Sequence, residues 1–411
     1  MIYRYNVQKN KNSILAIKDR STDDVELNEE KLRNGDEDVL REYERISNSA
    51  TKNNTSKLNL PIEIVRVGKE YPSSSSISYE KFIKGIKNKN PKYGEYHLSD
   101  YGDGRLVVTS LRNVTLGINP KECFGLIGPN GAGKSSLLNL ITYTTTQTIG
   151  NLYYDGIENK NIKEDHFMMG YCPQNDSLWN ELTLFEHLVM FIYLRGFTKK
   201  ESKYYANQYI KYCKLEDHRN KYPYELSGGT KRKLCILLAL ITFSNKIMLD
   251  EPSSGMDPST RRYIWNVLQN YIKNENSSVI ITTHAMEEAE VLCDRIGILV
   301  NGELQCIGSA NHLKLKFNDI YILEIQCNDT DLLNSMIKKD LEILNKDNVI
   351  CEVKSKNRIK YTFQITSDFS KIFEIMEDYK IKNVVHDYSF SQTTLEDIFL
   401  KFAKLQQNKE I

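Results

Sequence analysis

The segment Gly128–Ser136 reads GPNGAGKSS and has the clearest chemical character in the 411-residue chain. It fits the spacing G-x-x-x-x-G-K-[ST] and lies between a strand candidate and a helix candidate, which is the setting of a phosphate-binding loop. Its glycines let backbone N–H groups converge on phosphate oxygens, and the helix N-terminus adds the positive end of its dipole. The spacing predicts that Lys134 neutralises the β- and γ-phosphates and that Ser135 ligates Mg²⁺.

Two more apolar segments end in side chains that could act on a phosphate. KIMLD ends at Asp250, whose carboxylate could hold Mg²⁺ or its water ligands. Glu251 follows directly, so it points elsewhere and could take a proton from an attacking water. SVIITTH ends at His284, which could contact the γ-phosphate or that water. Taken alone, the carboxylates could be a solvated pair and the histidine a polar cap, but the neighbouring motifs favour a site.

Two further motifs gain meaning from this context. Gln174, in MGYCPQNDSLW, is uncharged and could touch a metal ion or water weakly enough to move. LSGGT offers a second turn that could bind an anion, through Ser227 and the N–H groups of Gly228 and Gly229 at a helix N-terminus. The alternative interpretation of LSGGT is an ordinary helix cap with a glycine turn.

Short apolar strands that alternate with helices must position these residues. CFGLI, KIMLD and SVIITTH are predicted to be buried strands of a parallel sheet covered by helices on both faces. Residues 175–235 are predicted to form a helical subdomain, and ILVNGELQCIG a hairpin that turns on Asn301-Gly302. We therefore expect an α/β domain over residues 59–318, with a Ser-, Lys- and Tyr-rich surface insertion at 73–104.

The two ends of the chain differ from this domain. Residues 1–58 are polar and are predicted to be a largely disordered linker with one short helix near EDVLREYERI. Residues 319–405 show the order βαββαβ, which predicts a small α+β domain of the ferredoxin-like arrangement, followed by a tail at 406–411.

Composition excludes several classes of protein. Lys+Arg 55 against Asp+Glu 54 gives a net charge of +1, so nothing favours a nucleic-acid partner. The eight cysteines fall singly, which indicates a reduced, cytosolic compartment. The longest apolar run, Leu234–Phe243, is far shorter than the ~20 residues that a membrane helix needs.

In their order and type, these motifs resemble those of ABC-type ATPases, and the chain is similar to subfamily A of the ABC transporters. KECFGLIG, MGYCPQNDSLWNELT, LSGGTKRKL, SGMD, THAMEEAE and VNGELQCIGSANHLKLKF carry the resemblance, which extends from about residue 36 to 405. DEDVLREYERI resembles the linker before the domain of that subfamily, and FSQTTLEDIFLKFAK resembles its C-terminal regulatory domain. The resemblance implies a P-loop NTPase fold.

The resemblance also implies roles for residues of this sequence. Glu251 would be the general base, His284 the γ-phosphate sensor and Asp257 a stabiliser of a facing subunit. Gln174 would link the metal site to a membrane partner, and LSGGT would grip the ATP held by a second nucleotide-binding domain. The Mg²⁺ ligands would be Ser135, Gln174 and Asp250, and the nucleotide-binding residues would be Gly128, Pro129, Asn130, Gly131, Ala132, Gly133, Lys134, Ser135, Ser136, Gln174, Ser227, Gly228, Gly229 and Asp257.

The aromatic residue that stacks on adenine in this family best matches Tyr71 in GKEYP. The insertion at 73–104 separates Tyr71 from the P-loop more than is usual, so Tyr93, Tyr96 and Tyr101 stay as alternatives.

The expected function is ATP binding and hydrolysis, coupled through a head-to-tail dimer to transmembrane transport, with lipids as the substrates that the subfamily implies. The membrane helices would belong to the same or another chain, and the domain would lie on the cytoplasmic side of a membrane. The alternative is a soluble ABC ATPase that acts on nucleic acid or the ribosome. A single P-loop, the lack of sustained heptads and a net charge near zero disfavour this alternative.

Overall fold

The computed structural model describes residues 36–48, 58, 60–72, 96–98, 106–162, 168–275, 277–317, 320–327, 333, 336, 350–355, 357–364, 369–392 and 394–407. Most of the predicted linker at 1–58 and of the predicted insertion at 73–104 lies outside these ranges, as do residues 408–411 of the predicted tail. The chain divides into two compact units, of which the second runs from Ser309 to Lys401. The sequence places this boundary at 318/319, where the strand pattern changes. The structure places it directly after a strand that ends at Gly308.

The elements alternate along the chain as the sequence predicts. In chain order they are α1 (Glu37–Ser47), β1 (Ile62–Pro72), β2 (Tyr96–Leu98), β3 (Leu106–Ile118), β4 (Cys123–Ile127), α2 (Lys134–Ile141), β5 (Ile149–Tyr154), β6 (Ile157–Glu158), β7 (Gly170–Cys172), α3 (Leu184–Leu194), α4 (Lys199–Tyr212), α5 (Gly228–Leu240), β8 (Lys246–Asp250), α6 (Pro258–Glu275), β9 (Ser278–Thr282), α7 (Met286–Leu292), β10 (Arg295–Val300), β11 (Glu303–Gly308), α8 (Ala310–Lys316), β12 (Ile320–Cys327), β13 (Ile350–Ser355), β14 (Arg358–Gln364), α9 (Phe369–Ile381), β15 (Val385–Gln392) and α10 (Leu395–Gln407).

A six-stranded sheet of order β11-β10-β4-β9-β8-β7 forms the centre of the first unit. The five strands from β10 to β7 run parallel, and β11 joins antiparallel to β10. Every residue of β4, β8 and β9 is buried, which explains why the central residues of these strands are apolar. The carboxyl ends of these strands therefore meet at one edge of the sheet, where the predicted chemical residues follow them.

The hairpin of β10 and β11 forms one edge of this sheet. Asn301 and Gly302 have φ of 50° and 77°, the left-handed conformations that a two-residue turn between β10 and β11 requires. The predicted turn is thus confirmed. The Gly302 N–H donates to the carbonyl of Ala132 at 3.0 Å, so this turn also supports the P-loop segment.

A second, antiparallel sheet of order β2-β3-β1-β5-β6 packs against the first. β1 and β3 pair from Ile62 opposite Ile118 to Pro72 opposite Val107. Their inward side chains share one apolar core with β4 and α2; among its fully buried members are Ile62, Ile64, Leu116, Phe124, Leu126, Leu137 and Leu138. Helix α2, which begins at the P-loop, is thus held by both sheets.

Helices α3, α4 and α5 occupy the region predicted to be helical. Thr183 and Glu186 form a capping box at the start of α3, and Thr198 and Glu201 form another at the start of α4. Apolar side chains of these helices belong to the same core as those of β7, β8 and α6, so the helical region is packed onto the sheet.

Helix α1 lies where the sequence predicts one short helix near EDVLREYERI, and the structure adds that this helix is packed on the second sheet. Ile46 is fully buried, and a Cβ on Gly117 of β3 would meet the Ile46 side chain at 2.4 Å, so α1 packs closely on the second sheet. Glu42 is buried and accepts hydrogen bonds from the Gly117 N–H at 3.0 Å and from Arg45 at 2.7 Å. Its carboxylate also lies 3.0 Å from the Arg295 guanidinium of β10. The sequence does not reveal the buried face of this short helix, because most of its residues are charged.

The second unit contains a four-stranded antiparallel sheet of order β13-β14-β12-β15. Helix α9 packs on it through Ile372, Met376 and Tyr379, which join Leu323 and Tyr361 in a separate core. The helix predicted at about 330–343 lies outside the described residues except for Leu333 and Met336. The strand order agrees with the predicted ferredoxin-like arrangement, which stays a prediction.

None of the helices in the described ranges is long and apolar enough to cross a lipid bilayer.

We expect Glu42→Gln to lower the free energy of unfolding at neutral pH by about 2 kcal/mol, because it replaces a buried carboxylate, shared by two arginines and a backbone N–H, with a neutral amide whose NH₂ group cannot accept a hydrogen bond. Burial by itself would raise the pKa of Glu42, but hydrogen bonds and the charges of Arg45 and Arg295 lower it overall. The stabilisation is therefore present above the pKa of the unfolded carboxyl and is lost as the pH falls through the lower folded value.

Urea unfolding of wild type and variant at pH 7 and pH 4 measures this difference. Glu37→Gln on the same helix removes an exposed partner of Arg41 and is the matched control, expected to change stability by less than about 0.5 kcal/mol. Equal losses for the two variants, or a difference independent of pH, would contradict the assigned role of Glu42.

Candidate active site

The P-loop between β4 and α2 can be formed only with glycine at two of its positions. A Cβ on Gly128 would lie 2.3 Å from the carbonyl oxygen of Leu299. Gly133 has φ +102°, and a Cβ there would lie 2.5 Å from the carbonyl oxygen of Ser110. Both contacts are with backbone that cannot move aside, so the glycines allow this loop to pass close to β3 and β10. Gly131, with φ 79°, completes the turn and is exposed.

Lys134, the first residue of α2, lies inside this loop. Its ammonium donates to the carbonyls of Gly128 at 2.6 Å and Pro129 at 3.1 Å. Burial lowers the pKa of Lys134, while the nearby charges of Glu251 and Asp250 act in the opposite direction. The cation is therefore held at the mouth of the loop with weak neutral acceptors, which a phosphate oxygen could replace.

The two serines that follow have different surroundings. Ser135 is exposed, and its hydroxyl is therefore accessible to an incoming group. The Ser136 hydroxyl is bonded to the Ser110 hydroxyl at 2.7 Å, which ties α2 to β3. Asn130, also exposed, and Ala132, which is buried, complete the predicted loop.

Asp250 ends β8 with its side chain largely buried. Its Oδ1 accepts a hydrogen bond from the hydroxyl of Thr282, the last residue of the neighbouring strand β9. Burial raises the pKa of Asp250, although this hydrogen bond and the charges of Arg232 and Lys134 oppose the rise. One oxygen is thus fixed by the protein, and the other is left for a cation or its water ligands.

Glu251 adopts a backbone conformation that is unusual for a residue with a side chain. Its φ is 50°, and its N–H donates to the Thr282 carbonyl at 3.0 Å and to the Thr282 hydroxyl at 3.1 Å. These bonds turn the chain at the end of β8, where Glu251 leaves the strand. Strained residues of this kind concentrate at functional sites.

Two neutral side chains converge on the Glu251 carboxylate. Gln174, two residues beyond β7, donates from Nε2 to Glu251 Oε1 at 3.1 Å. His284 Nε2 lies 3.3 Å from the same oxygen. Burial and then the charge of Lys134 lower the pKa of His284, so its imidazole is neutral at physiological pH. The structure thus brings together four residues from the ends of three strands: Gln174, Asp250, Glu251 and His284.

The position of His284 differs in one respect from the prediction. Strand β9 ends at Thr282, and His284 lies in the turn before α7 rather than at the strand end. The N–H of Ala285 donates to the Thr283 hydroxyl at 3.0 Å, and this local bond turns the chain out of the sheet.

The chemistry of these residues suits a nucleotide together with Mg²⁺. Among the described residues, no three His, Cys, Asp or Glu side chains cluster as a metal site. Magnesium bound to nucleotides is held by one or two carboxylates together with substrate phosphates and water. One buried carboxylate, Asp250, beside a phosphate loop with an exposed hydroxyl, Ser135, meets that requirement.

LSGGT and Asp257 make local hydrogen bonds that do not involve this cluster. Ser227 is the N-cap of α5 and accepts from the Thr230 N–H at 3.3 Å. Asp257 accepts from the Thr260 N–H at 2.9 Å and from the Ser259 hydroxyl, and these bonds lower its pKa. No hydrogen bond in the described part of the chain joins Ser227, Gly228 or Gly229 to the P-loop. A Cβ on Gly228 would meet nothing within 4 Å, so packing in this chain does not require that glycine.

Tyr71 lies near the end of β1 opposite Val108 of β3, two residues before Ser110, which contacts the P-loop. The Lys69 ammonium lies 5.0 Å from its ring centroid. Tyr96 of β2 is also opposite Val108, on the other side of β3. Tyr93 and Tyr101 lie outside the described residues, so the adenine-stacking residue stays a prediction.

Sequence reasoning missed two residues that hold the site together, Thr282 and Ser110. Thr282 is fully buried and bonds to both Asp250 and Glu251. A hydroxyl residue directly after the apolar residues of β9 was the available signal. Ser110 gave no such signal, because its contact with Ser136 joins positions 26 residues apart.

Comparison with known proteins identifies the family of the chain. The ABC transporter family model matches residues 111–254. ATP-binding cassette sub-family A member 2 of Homo sapiens is 36% identical over 305 residues, which are 73% of this chain and 12% of the relative. The retinal-specific phospholipid-transporting ATPase ABCA4 of Homo sapiens is 34% identical over 93% of this chain and 15% of the relative. The cholesterol transporter ABCA5 of Rattus norvegicus is 33% identical over 72% and 18%.

Among solved structures, the dimeric structure of a bacterial ABC transporter cassette matches with a TM-score of 0.50 and 24% identity. The match covers 60% of this chain and 98% of that chain, and at this identity it concerns the fold. The fold is that of an ATP-binding cassette. Within that class, the chain belongs to the ABC transporter family and carries a nucleotide-binding domain of subfamily A. It spans between 12% and 18% of the length of the three relatives named above.

We expect Thr282→Val to lower the free energy of unfolding by about 1–3 kcal/mol, because it leaves the Oδ1 of Asp250 without its donor, whereas the Glu251 N–H keeps the carbonyl of residue 282 as its acceptor. Thr282→Ser keeps the hydroxyl and is the matched control, expected to lose less than about 1 kcal/mol for the missing methyl group. Urea unfolding measures both variants. A larger loss for the serine variant than for the valine variant would show that packing, rather than hydrogen bonding, is the main contribution of Thr282.

Proposed function

We propose that this chain binds and hydrolyses ATP as the nucleotide-binding domain of an ABC transporter. The observation that carries the proposal is the convergence of Gln174 and His284 on one oxygen of Glu251. The Gln174 amide and the His284 imidazole orient the carboxylate from one side. This arrangement places Glu251 to act as a general base.

In this proposal, the glycine-rich loop and Lys134 hold the triphosphate, and the free edge of Glu251 faces the attacking water. The oxygen of that water attacks the γ-phosphorus while Glu251 accepts a proton from the water. The bond between the γ-phosphorus and the oxygen that bridges the β- and γ-phosphates breaks. ADP and inorganic phosphate are the products. His284, at 3.3 Å from Glu251, orients the carboxylate and reports the position of the γ-phosphate.

Mg²⁺ would be held by Ser135 and Asp250, with Gln174 at its margin, and would neutralise charge on the β- and γ-phosphates. Asp250 suits this role because Thr282 already occupies one of its oxygens, which fixes the direction of the other. Its burial strengthens electrostatic attraction to a cation.

We propose that the site is completed by a second nucleotide-binding domain arranged head to tail. The exposed Ser227 and Gly228 and the half-buried Gly229 form a helix N-terminus, and none of the hydrogen bonds in the described residues joins it to this chain's own P-loop. Gly228 faces open space, which leaves room for a phosphate of the facing domain to approach the backbone. Asp257, exposed and fixed by Ser259 and Thr260, would support the same interface.

The transport step is proposed from the relatives. Their names describe a phospholipid-transporting ATPase and a cholesterol transporter, so we propose lipids as the substrate class. Transmembrane domains of the same or another chain would receive the motion through the helical region around α3 and α4, on the cytoplasmic side of a membrane. For the unit from Ser309 to Lys401 we propose a regulatory role at the dimer.

We expect Glu251→Gln to reduce kcat for ATP hydrolysis by about 10²–10⁴-fold, because an amide cannot accept the proton of the attacking water. ATP affinity should stay within a few-fold of wild type, since Glu251 does not contact the P-loop backbone. Phosphate release and equilibrium ATP binding measure the two quantities. Glu287→Gln, an exposed carboxylate on α7, is the control. Wild-type turnover by Glu251→Gln would exclude Glu251 as the base.

The composite site can be tested by mixing two inactive variants. Lys134→Ala disables the P-loop, and Gly228→Asp places a negative charge where the facing phosphate would lie, without a clash in its own chain. Each variant alone should be inactive, whereas a mixed dimer has one intact site. An equal mixture should recover up to about a quarter of wild-type activity if chains pair at random. Failure to recover activity, together with the absence of a dimer of the two folded variants in the presence of ATP, would contradict pairing between copies.

A further inference from the structure

Arg232, on the second turn of α5, is buried and contacts the main chain of the active site rather than its side chains. Its Nη2 donates to the carbonyls of Asp250 and of Glu251, the latter at 3.1 Å. Its Nε donates to the Pro252 carbonyl at 3.2 Å, and its Nη1 donates to the Pro173 carbonyl. One guanidinium thus binds four carbonyls from two segments that are far apart in sequence.

These four carbonyls belong to the peptides that carry the catalytic side chains. Pro173 directly precedes Gln174, and the other three surround Glu251. The Glu251 backbone has φ 50°, a conformation that persists only where its surroundings hold it. The planar guanidinium offers five N–H donors in fixed directions, so it fixes the Gln174 and Glu251 segments relative to each other.

Arg232 also lies on the helix that begins at Ser227. The two residues are five positions apart in a helix with an uninterrupted backbone, which corresponds to about 7.5 Å along its axis. A helix of this length moves as a rigid body, so a shift of its N-terminus also moves the guanidinium. Ser227 belongs to the half-site that would face the other domain, whereas Glu251 belongs to this chain's own half-site.

We infer that Arg232 is a positioning residue that couples the two half-sites of one chain. Contact of Ser227 with the triphosphate of the facing domain moves α5, and Arg232 passes this movement to the carbonyls that set Glu251 and Gln174. In a head-to-tail dimer each ATP site is thereby linked to the catalytic carboxylate of the other. This inference rests on the proposed ATPase function and extends it to communication between the sites.

Asp176 provides the remaining contact of this cluster. Its Oδ1 lies 3.6 Å from Arg232 Nη1 and also accepts a hydrogen bond from the Cys235 thiol at 3.6 Å. Asp176 follows Gln174 in the same loop, so the loop is held on both sides of the glutamine. A lysine at position 232 would supply one ammonium and could not span carbonyls in both segments.

The test uses the mixed dimer that has a single intact site. In that dimer, the Gly228→Asp chain supplies the working P-loop and Glu251, and the Lys134→Ala chain supplies the working Ser227. Arg232→Gln is placed in the first chain, then in the second, and kcat, ATP affinity and thermal unfolding are measured each time. Lys233→Gln removes the same charge one position further along α5 and is the control.

If Arg232 couples the half-sites, both placements lower kcat while ATP affinity and thermal unfolding change little. We expect a fall of roughly 10- to 100-fold in the chain that supplies Glu251, because small misplacements of a catalytic group have effects of this size. The other placement should lower kcat by at least about fivefold, the lower range of energetic coupling between sites. Arg232→Lys should restore only part of either loss, and Lys233→Gln should stay within about twofold of its parent.

An effect in one placement only would overturn the coupling, since Arg232 would then serve one half-site. Equal losses in ATP affinity and kcat, or failure of both the Gln and Lys variants to fold, would show a purely structural role and would also overturn it. If the parent mixed dimer is inactive although wild type hydrolyses ATP, the same placements are made in both chains of the wild-type dimer, where the Hill coefficient for ATP should fall toward 1. An unchanged Hill coefficient overturns the inference, whereas inactivity of wild type itself refutes the proposed function.

Discussion

The register of strand β9 between β4 and β8 is the constraint on which the site depends. Thr282 is opposite Leu126 on one side and Asp250 on the other, so one residue fixes the P-loop strand relative to the carboxylate strand. Its hydroxyl and carbonyl then hold Asp250 and turn Glu251 out of the sheet. A slip of one residue would move every side chain to the opposite face and separate the loop from both carboxylates.

Electrostatics in this site is a balance between burial and neighbouring charge. Burial lowers the pKa of Lys134 and raises that of Asp250, and the two groups oppose these shifts in each other. His284 stays neutral because burial and the Lys134 charge both disfavour a second cation. The pocket thus holds one cation against two carboxylates, and a bound nucleotide with its metal ion adds charges of both signs. This arrangement favours a ligand that brings a cation with its phosphates.

Two helices, α5 and α1, each combine packing in a core with hydrogen bonds to the central sheet. Helix α5 packs its apolar face into the core of the helical region, presents Ser227 at an open end and holds the active-site carbonyls through Arg232. Helix α1, at the opposite end of the sheet strands, binds Arg295 through a buried carboxylate. Each helix therefore links a surface segment to the central sheet by hydrogen bonds of a charged side chain. Such bonds depend on direction, whereas apolar contacts do not.

Patterns of neighbouring residues were enough to predict the P-loop, the buried strands β4 and β8 and the hairpin at Asn301-Gly302. They also predicted that Asp250 and Glu251 are candidate site residues at the end of a strand. Each of these follows from local spacing, because apolar periodicity and glycine conformations act over a few residues. Contacts between segments that are distant in sequence could be identified only from the folded structure. The roles of Thr282, Ser110 and Arg232, and the burial of α1, depend on hydrogen bonds and packing between residues 18 to 75 positions apart. Local pattern does not contain this information, since many partners are compatible with one serine, threonine or arginine until the sheet register selects them.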